Sequence, residues 1–210
     1  MKTRFNSQLI FISMIFFANI VISQRNHKSV SDYDNNIYSV IKVGKQEWFA
    51  ENLKAIHYNN GDLIEVNDNS TKEIYIDNEV YYTWSVINDS RNVCPDGWRV
   101  PTNEDWNYLE NKFGGQELAA IDLKVDGDNY WGSDFLIATN YSGFSALPSG
   151  YVNELGVKSN VGKYGYWWSS NSKDETTAWG REIGFNKNTV YNGFANKQDG
   201  LSIRCMRVNK

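Results

Sequence analysis

Cys94-Pro95-Asp96-Gly97-Trp98-Arg99-Val100-Pro101-Thr102-Asn103-Glu104-Asp105-Trp106 is the stretch from which the fold is read. Pro95 presets φ for a turn, and Gly97 supplies a position free of Cβ clashes. Pro101 pushes Val100 into an extended conformation and ends any strand there. Thr102 then stands as a helix N-cap, with Asp105 three residues on as a capping-box partner. Trp106, Leu109 and Phe113 recur on one helical face, and Gly114-Gly115 ends the pattern. One clear helix is predicted over about 102–113.

Working outward, the strand signals dominate. Tyr38–Val43 and Gln46–Leu53 flank Gly44-Lys45, a two-residue hairpin turn with Gly first. Val66–Thr71 reads as a polar loop, and Tyr81–Ile87 as a short buried strand or bent segment. Ala119–Val125 reads as a second short helix or an extended link, broken at Asp126-Gly127-Asp128-Asn129. Ser142–Tyr151 is expected to be a strand edged by Gly and Pro. The last third is predicted to be an antiparallel meander: Tyr164–Ser170, Ala178–Phe185, Thr189–Tyr191 and Leu201–Val208. Along Ala178–Phe185, Trp179, Arg181, Ile183 and Phe185 share one face.

Residues 1–23 read as a signal peptide: Lys2 and Arg4, an apolar Leu9–Ile22 run, then Ser23 before Gln24. A retained N-terminal anchor is the alternative. With no cysteine before Cys94, a lipid-modified N-terminal cysteine is not expected. Residues 24–36 read as a flexible arm, and 37–210 as one domain. Without Lys2 and Arg4, 19 basic residues face 25 acidic ones, a net charge of −6. An acidic, unclustered balance argues against nucleic acid and anionic membrane surfaces as partners. Eight Trp, 13 Tyr and 10 Phe suit a compact, strand-rich domain and also supply flat ligand platforms.

Two cysteines in an exported chain pair most simply with each other, Cys94 with Cys205, the alternative being two buried thiols. His27 and His57 are the only imidazoles, and no zinc site of familiar spacing can be assembled. Asp122, Asp126 and Asp128, with Asn129, form the best oxygen cluster for calcium, although their spacing matches no EF-hand loop.

Five motifs together resemble the Fibrobacter succinogenes major paralogous domain family of secreted bacterial proteins. They are Gly44–Leu53 (GKQEWFAENL), Cys94–Pro101 (CPDGWRVP), Gly143–Gly150 (GFSALPSG), Gly165–Ser170 (GYWWSS) and Ile203–Arg207 (IRCMR). The resemblance implies an α+β, C-type-lectin-like domain with a twisted antiparallel sheet and long loops, related to formylglycine-generating enzymes. It implies no activity of its own.

Three functions compete. A binding module would present Trp167, Trp168, Trp179 and Arg181 to a glycan or surface protein. Trp167 and Trp168 point to opposite faces of their strand, so at most one is expected in the core if one side of the sheet is covered. An enzyme would follow the formylglycine-generating chemistry, which needs reactive cysteines that a disulfide consumes. A structural envelope protein without a small ligand is the third. No Gly-x-Ser-x-Gly, His-Glu-x-x-His or phosphate loop is present, and His57 lacks a nucleophile motif nearby. The expectation is a non-catalytic binding module, exported to the periplasm or beyond, with no cofactor except calcium as an open possibility.

Overall fold

The computed structural model describes residues 28–64, 75–76, 79–131 and 138–209. The expected signal peptide, the first part of the arm, and the Val66–Thr71 loop lie outside them. In chain order the elements are β1 (Ser29–Ser31), β2 (Ile37–Val43), β3 (Gln46–Phe49), β4 (Tyr75–Ile76), β5 (Glu79–Val80), α1 (Trp84–Ile87) and α2 (Asn103–Lys112). There follow α3 (Ala119–Leu123), α4 (Asp128–Trp131), β6 (Tyr151–Val152), β7 (Lys158–Ser159), β8 (Tyr164–Ser172), β9 (Thr177–Gly184), β10 (Val190–Asn196) and β11 (Met206–Val208). The architecture is mostly β, with antiparallel sheets, few helices and one disulfide. No helix among the described residues is long and apolar enough to cross a membrane.

Two sheets carry the fold. One has the order β1-β2-β3-β11, the other β10-β9-β8, and two short ribbons pair β4 with β5 and β6 with β7. The β2–β3 hairpin turns at Gly44-Lys45, with Gly44 at φ +59°. A side chain at Gly44 would also collide with the Tyr108 hydroxyl on α2, so close approach adds to the backbone requirement. The arm is shorter than the sequence suggests: Ser29–Ser31 pairs with Ile37–Ser39, so order begins before Tyr38.

Helix α2 forms as its cap dictates. Thr102 Oγ1 accepts from the Asp105 N–H at 3.2 Å, and the Thr102 N–H donates to Asp105 Oδ2 at 2.8 Å. Arg99 reaches the same carboxylate at 2.6 Å. At the far end, Gly115 donates to the Glu110 carbonyl at 2.9 Å, with Gly114 and Gly115 both at positive φ. Trp106 and Leu109 are buried and Phe113 is half-buried, so one helical face enters the core.

Several expected strands take another form. Ser142–Gly150 is a loop, because Gly143, Ser145 and Gly150 sit at positive φ and cannot hold a pleat, and only Tyr151 enters a strand. It makes only isolated bridges to Lys124 and Gly165 before β6. Tyr81–Ile87 makes a single bridge at Tyr82 and then turns into α1. The break expected at Asp126–Asn129 falls at Asp126 and Gly127, while Asp128 and Asn129 start α4. The third meander strand, β10, runs to Asn196. Leu201–Val208 is not the fourth meander strand. Only Met206–Val208 is a strand, and it pairs with β3 in the other sheet.

The segment before β11 joins the two sheets. Val152 pairs with Gly200, Tyr82 with Leu201, Trp167 with Ser202 and Arg99 with Met206. The Leu53 N–H donates to the Ile203 carbonyl and the Phe49 N–H to that of Cys205. Leu201 through Met206 are all buried. On one side lies a core of Tyr38, Phe49, Leu53, Tyr82, Trp98, Trp168 and the disulfide. On the other lies a core of Trp48, Trp106, Leu109, Leu123, Phe144, Trp167 and Ile183. Helix α2 therefore packs away from the disulfide.

Cys94 and Cys205 are bonded, with Cα atoms 6.0 Å apart and a sequence separation of 111. Closing a loop of that length stabilises the fold by about 4–5 kcal/mol in the chain-entropy account. Thiol titration of the denatured, unreduced protein is expected to find no free sulfhydryl; two per chain would contradict the bond. Trp106→Ala, Trp167→Ala and Trp168→Ala are each expected to cost about 3–5 kcal/mol on chemical denaturation, since all three rings are fully enclosed.

Candidate functional site

The two sheet tryptophans are not a platform. Both Trp167 and Trp168 are 0% exposed. They do point to opposite faces, but each face has its own core, so the premise of one covered side fails. Trp168 Nε1 donates to the Tyr82 carbonyl at 2.6 Å, and Trp167 Nε1 to Asn52 Oδ1 at 2.8 Å. Trp179 is half-buried and meets Phe194 edge-on, with centroids 6.3 Å apart.

Arg181 is likewise structural. Its Nε donates to Glu110 Oε1 at 2.6 Å, and its Nη atoms reach Asn103, Asn107 and Asn192. The carboxylate comes from α2, so this buried pair clamps the helix to β9. Burial raises the Glu110 carboxyl even against the opposing pull of Arg181.

Asn52 joins four of the five motifs. Its Oδ1 accepts from Arg204 Nε at 3.2 Å, Arg204 Nη2 at 2.8 Å and Trp167 Nε1 at 2.8 Å. Its Nδ2 donates to Glu79 at 2.8 Å and Ser202 at 3.3 Å. Arg204 Nη1 also donates to the carbonyls of Phe49 and Phe144, and the guanidinium lies 4.1 Å from the Phe144 ring centroid. Burial pulls Arg204 down to about 9, partly countered by Glu51 and Glu79.

Of the calcium candidates, the side chains of Asp122 and Asp126 are described and that of Asp128 lies outside the described residues. Asp122 Oδ1 accepts from Thr139 Oγ1 at 2.6 Å, and Asp126 sits on an exposed turn. Among the described residues no group of three or more His, Cys, Asp or Glu is arranged to hold a metal ion. His57 Nδ1 lies 2.5 Å from Asp34 Oδ1, and Asp34 also accepts from the Ile56 and His57 N–H groups. These contacts hold the Asp34 carboxyl below its ordinary value although burial works against them.

A different surface forms a site. The face of β8-β9-β10 that carries Tyr166, Glu182 and Tyr191 opens as a groove of about 360 Å³. These three residues are direct cross-strand neighbours, Tyr166 opposite Glu182 and Tyr191 opposite Glu182. In the adjoining row Gly180 faces Gly193, and the missing side chains deepen the groove. A Cβ at Gly193 would lie 3.0 Å from the Tyr191 ring, which leans over it. Tyr151 stands edge-on to Tyr166 at 5.2 Å, and Asn160 Nδ2 donates to the Tyr166 hydroxyl at 2.8 Å. Tyr191 is 56% exposed and Phe194 58%.

Two carboxyls line this groove, and both are raised. Burial alone lifts Glu182; burial and then the Glu154 charge lift Asp199, against two backbone N–H groups. Burial and the Glu182 charge push the Tyr166 hydroxyl up to about 12. Of the residues singled out in the sequence, only Arg181 lines this groove, and its guanidinium is turned to the opposite face. The tyrosines were legible only as strand residues.

The model of the Fibrobacter succinogenes major domain matches residues 41–207. The chain belongs to that family. No curated protein and no solved structure matches it significantly. Within the family domain, Asn52, Phe144, Trp167 and Arg204 meet in one buried knot, so these motif positions serve the interior, while the groove uses residues mostly between and beside the motifs.

Asn52→Ala leaves the Arg204 guanidinium buried with its principal acceptor gone. A loss of about 3–5 kcal/mol is expected on chemical denaturation. A loss below about 1 kcal/mol would show that the knot contributes little.

Proposed function

We propose that this domain is a non-catalytic binding module, exported from the cytoplasm of a bacterium, that holds a glycan in the β8-β9-β10 groove. The observation that carries this reading is the row Tyr166–Glu182–Tyr191, with Tyr151, Asn196 and Asp199 also lining the groove. Aromatic faces take the apolar C–H surfaces of sugar rings, and carboxylates and amides take the hydroxyls. About 360 Å³ falls within the range of small-molecule sites and suits a short stretch of sugar rings.

A C-type-lectin-like placement fits the mixture of antiparallel sheets, one principal helix and extended loops, and is proposed on that likeness and the family resemblance. The pairing of both cysteines supports the non-catalytic reading, because it leaves no thiol for cysteine-dependent oxidation. Export is proposed from the Lys2, Arg4 and Leu9–Ile22 pattern, to the periplasm, the cell surface or the medium. N-terminal sequencing of the exported protein is expected to begin at Gln24.

Tyr191→Ala is expected to abolish binding on a glycan array, run with and without calcium, while shifting the melting temperature by no more than a degree or so. The ring is exposed and supports little packing, so surface-type stability effects apply. Undiminished binding by this variant would move the site elsewhere.

A further inference from the structure

We infer that the groove selects a cationic sugar, a hexosamine unit bearing a free protonated amine, seated between Tyr166 and Tyr191 against the carboxylate of Glu182. This rests on the glycan-binding reading of the same groove and narrows it to one charge class.

The charge pattern leads to this choice. Glu182 is half-buried in the centre of the groove, and among the described residues no cation or hydrogen-bond donor reaches its carboxylate. Every other well-buried or half-buried carboxylate described above has such a partner: Glu47 has Lys28 and Arg207, Asp105 has Arg99, and Glu110 has Arg181. A desolvated carboxylate without a partner is costly, and an incoming ammonium removes that cost. The only basic residue lining the groove, Arg181, spends its guanidinium on Glu110 behind the sheet. Asp199 adds a second negative group along the same groove. The aromatic walls supply the other half of cation recognition: two tyrosines flank Glu182 on neighbouring strands, so an ammonium there meets ring faces as well as a carboxylate. A neutral sugar would use the rings and leave Glu182 to accept hydroxyls only. A lone lysine side chain would use Glu182 but fill little of a groove that also takes in Tyr151, Asn160 and Asn196.

Isothermal titration with a β-1,4-linked glucosamine tetramer and its fully N-acetylated counterpart tests the point, since the two differ chiefly in amine charge. The amine form is expected to bind about tenfold or more tightly than the acetylated form. Glu182→Gln should erase that preference while remaining folded by circular dichroism and melting no lower than the parent. Tyr191→Ala should weaken both ligands. Equal affinities of the parent protein for the two tetramers would overturn the cation inference and leave the glycan reading standing. Binding of tetralysine through Glu182, with neither tetramer bound, would overturn this inference. If no glycan on the array bound either, the glycan reading would fall with it.

Discussion

A guanidinium sealed in the interior without a directly paired carboxylate sets the terms for the rest of the fold. Arg204 is fully buried, and its donors are met by one side-chain amide oxygen and two backbone carbonyls, with the Phe144 ring against its face. A buried charge is tolerated only when its hydrogen bonds are complete. Completing them requires β3, the 143–150 loop, β8 and the last buried segment to arrive in one geometry. Asn52 is the pivot, because its carbonyl oxygen also holds the Trp167 indole and its amide nitrogen reaches Glu79. The negative ends of Glu79 and Glu51 thus act on Arg204 at one remove. Polar specificity of this kind fixes register where two apolar cores alone would tolerate slippage.

The local devices were legible because each is written in adjacent residues. Thr102 and Asp105 form the capping box, Gly44-Lys45 forms the hairpin, and two cysteines can pair in only one way. What was not legible is long-range. Alternation along β8 says that Trp167 and Trp168 face opposite ways, but not that both faces are covered. Likewise the pattern Leu201, Ile203, Cys205 has strand period, yet its partners change from residue to residue and most of it never joins a ladder. Alternating apolar and polar residues suggest one covered face, but in this connector between two sheets Ser202 and Arg204 are buried as well.

The binding surface escaped the sequence for a related reason. Tryptophans drew notice as the largest aromatics, and in this fold most of them serve the core through both ring and N–H. The groove is instead made by register: Tyr166, Glu182 and Tyr191 come from three strands and meet because their pairings align them. Gly180 and Gly193, which look like weak points in strands, are what makes room beside them. Of the row itself, only Tyr166 lies within a motif.

The stitching of both sheets by residues 200–206 also imposes an order on biosynthesis. Arg207 reaches back across 160 positions to Glu47, and Arg204 across 152 to Asn52. Until residues 200–206 are in place neither core has its central segment, although β1–β2–β3 and β8–β9–β10 can pair without them. Contacts of such sequence separation form slowly, on the millisecond-to-second scale typical of non-local β folds.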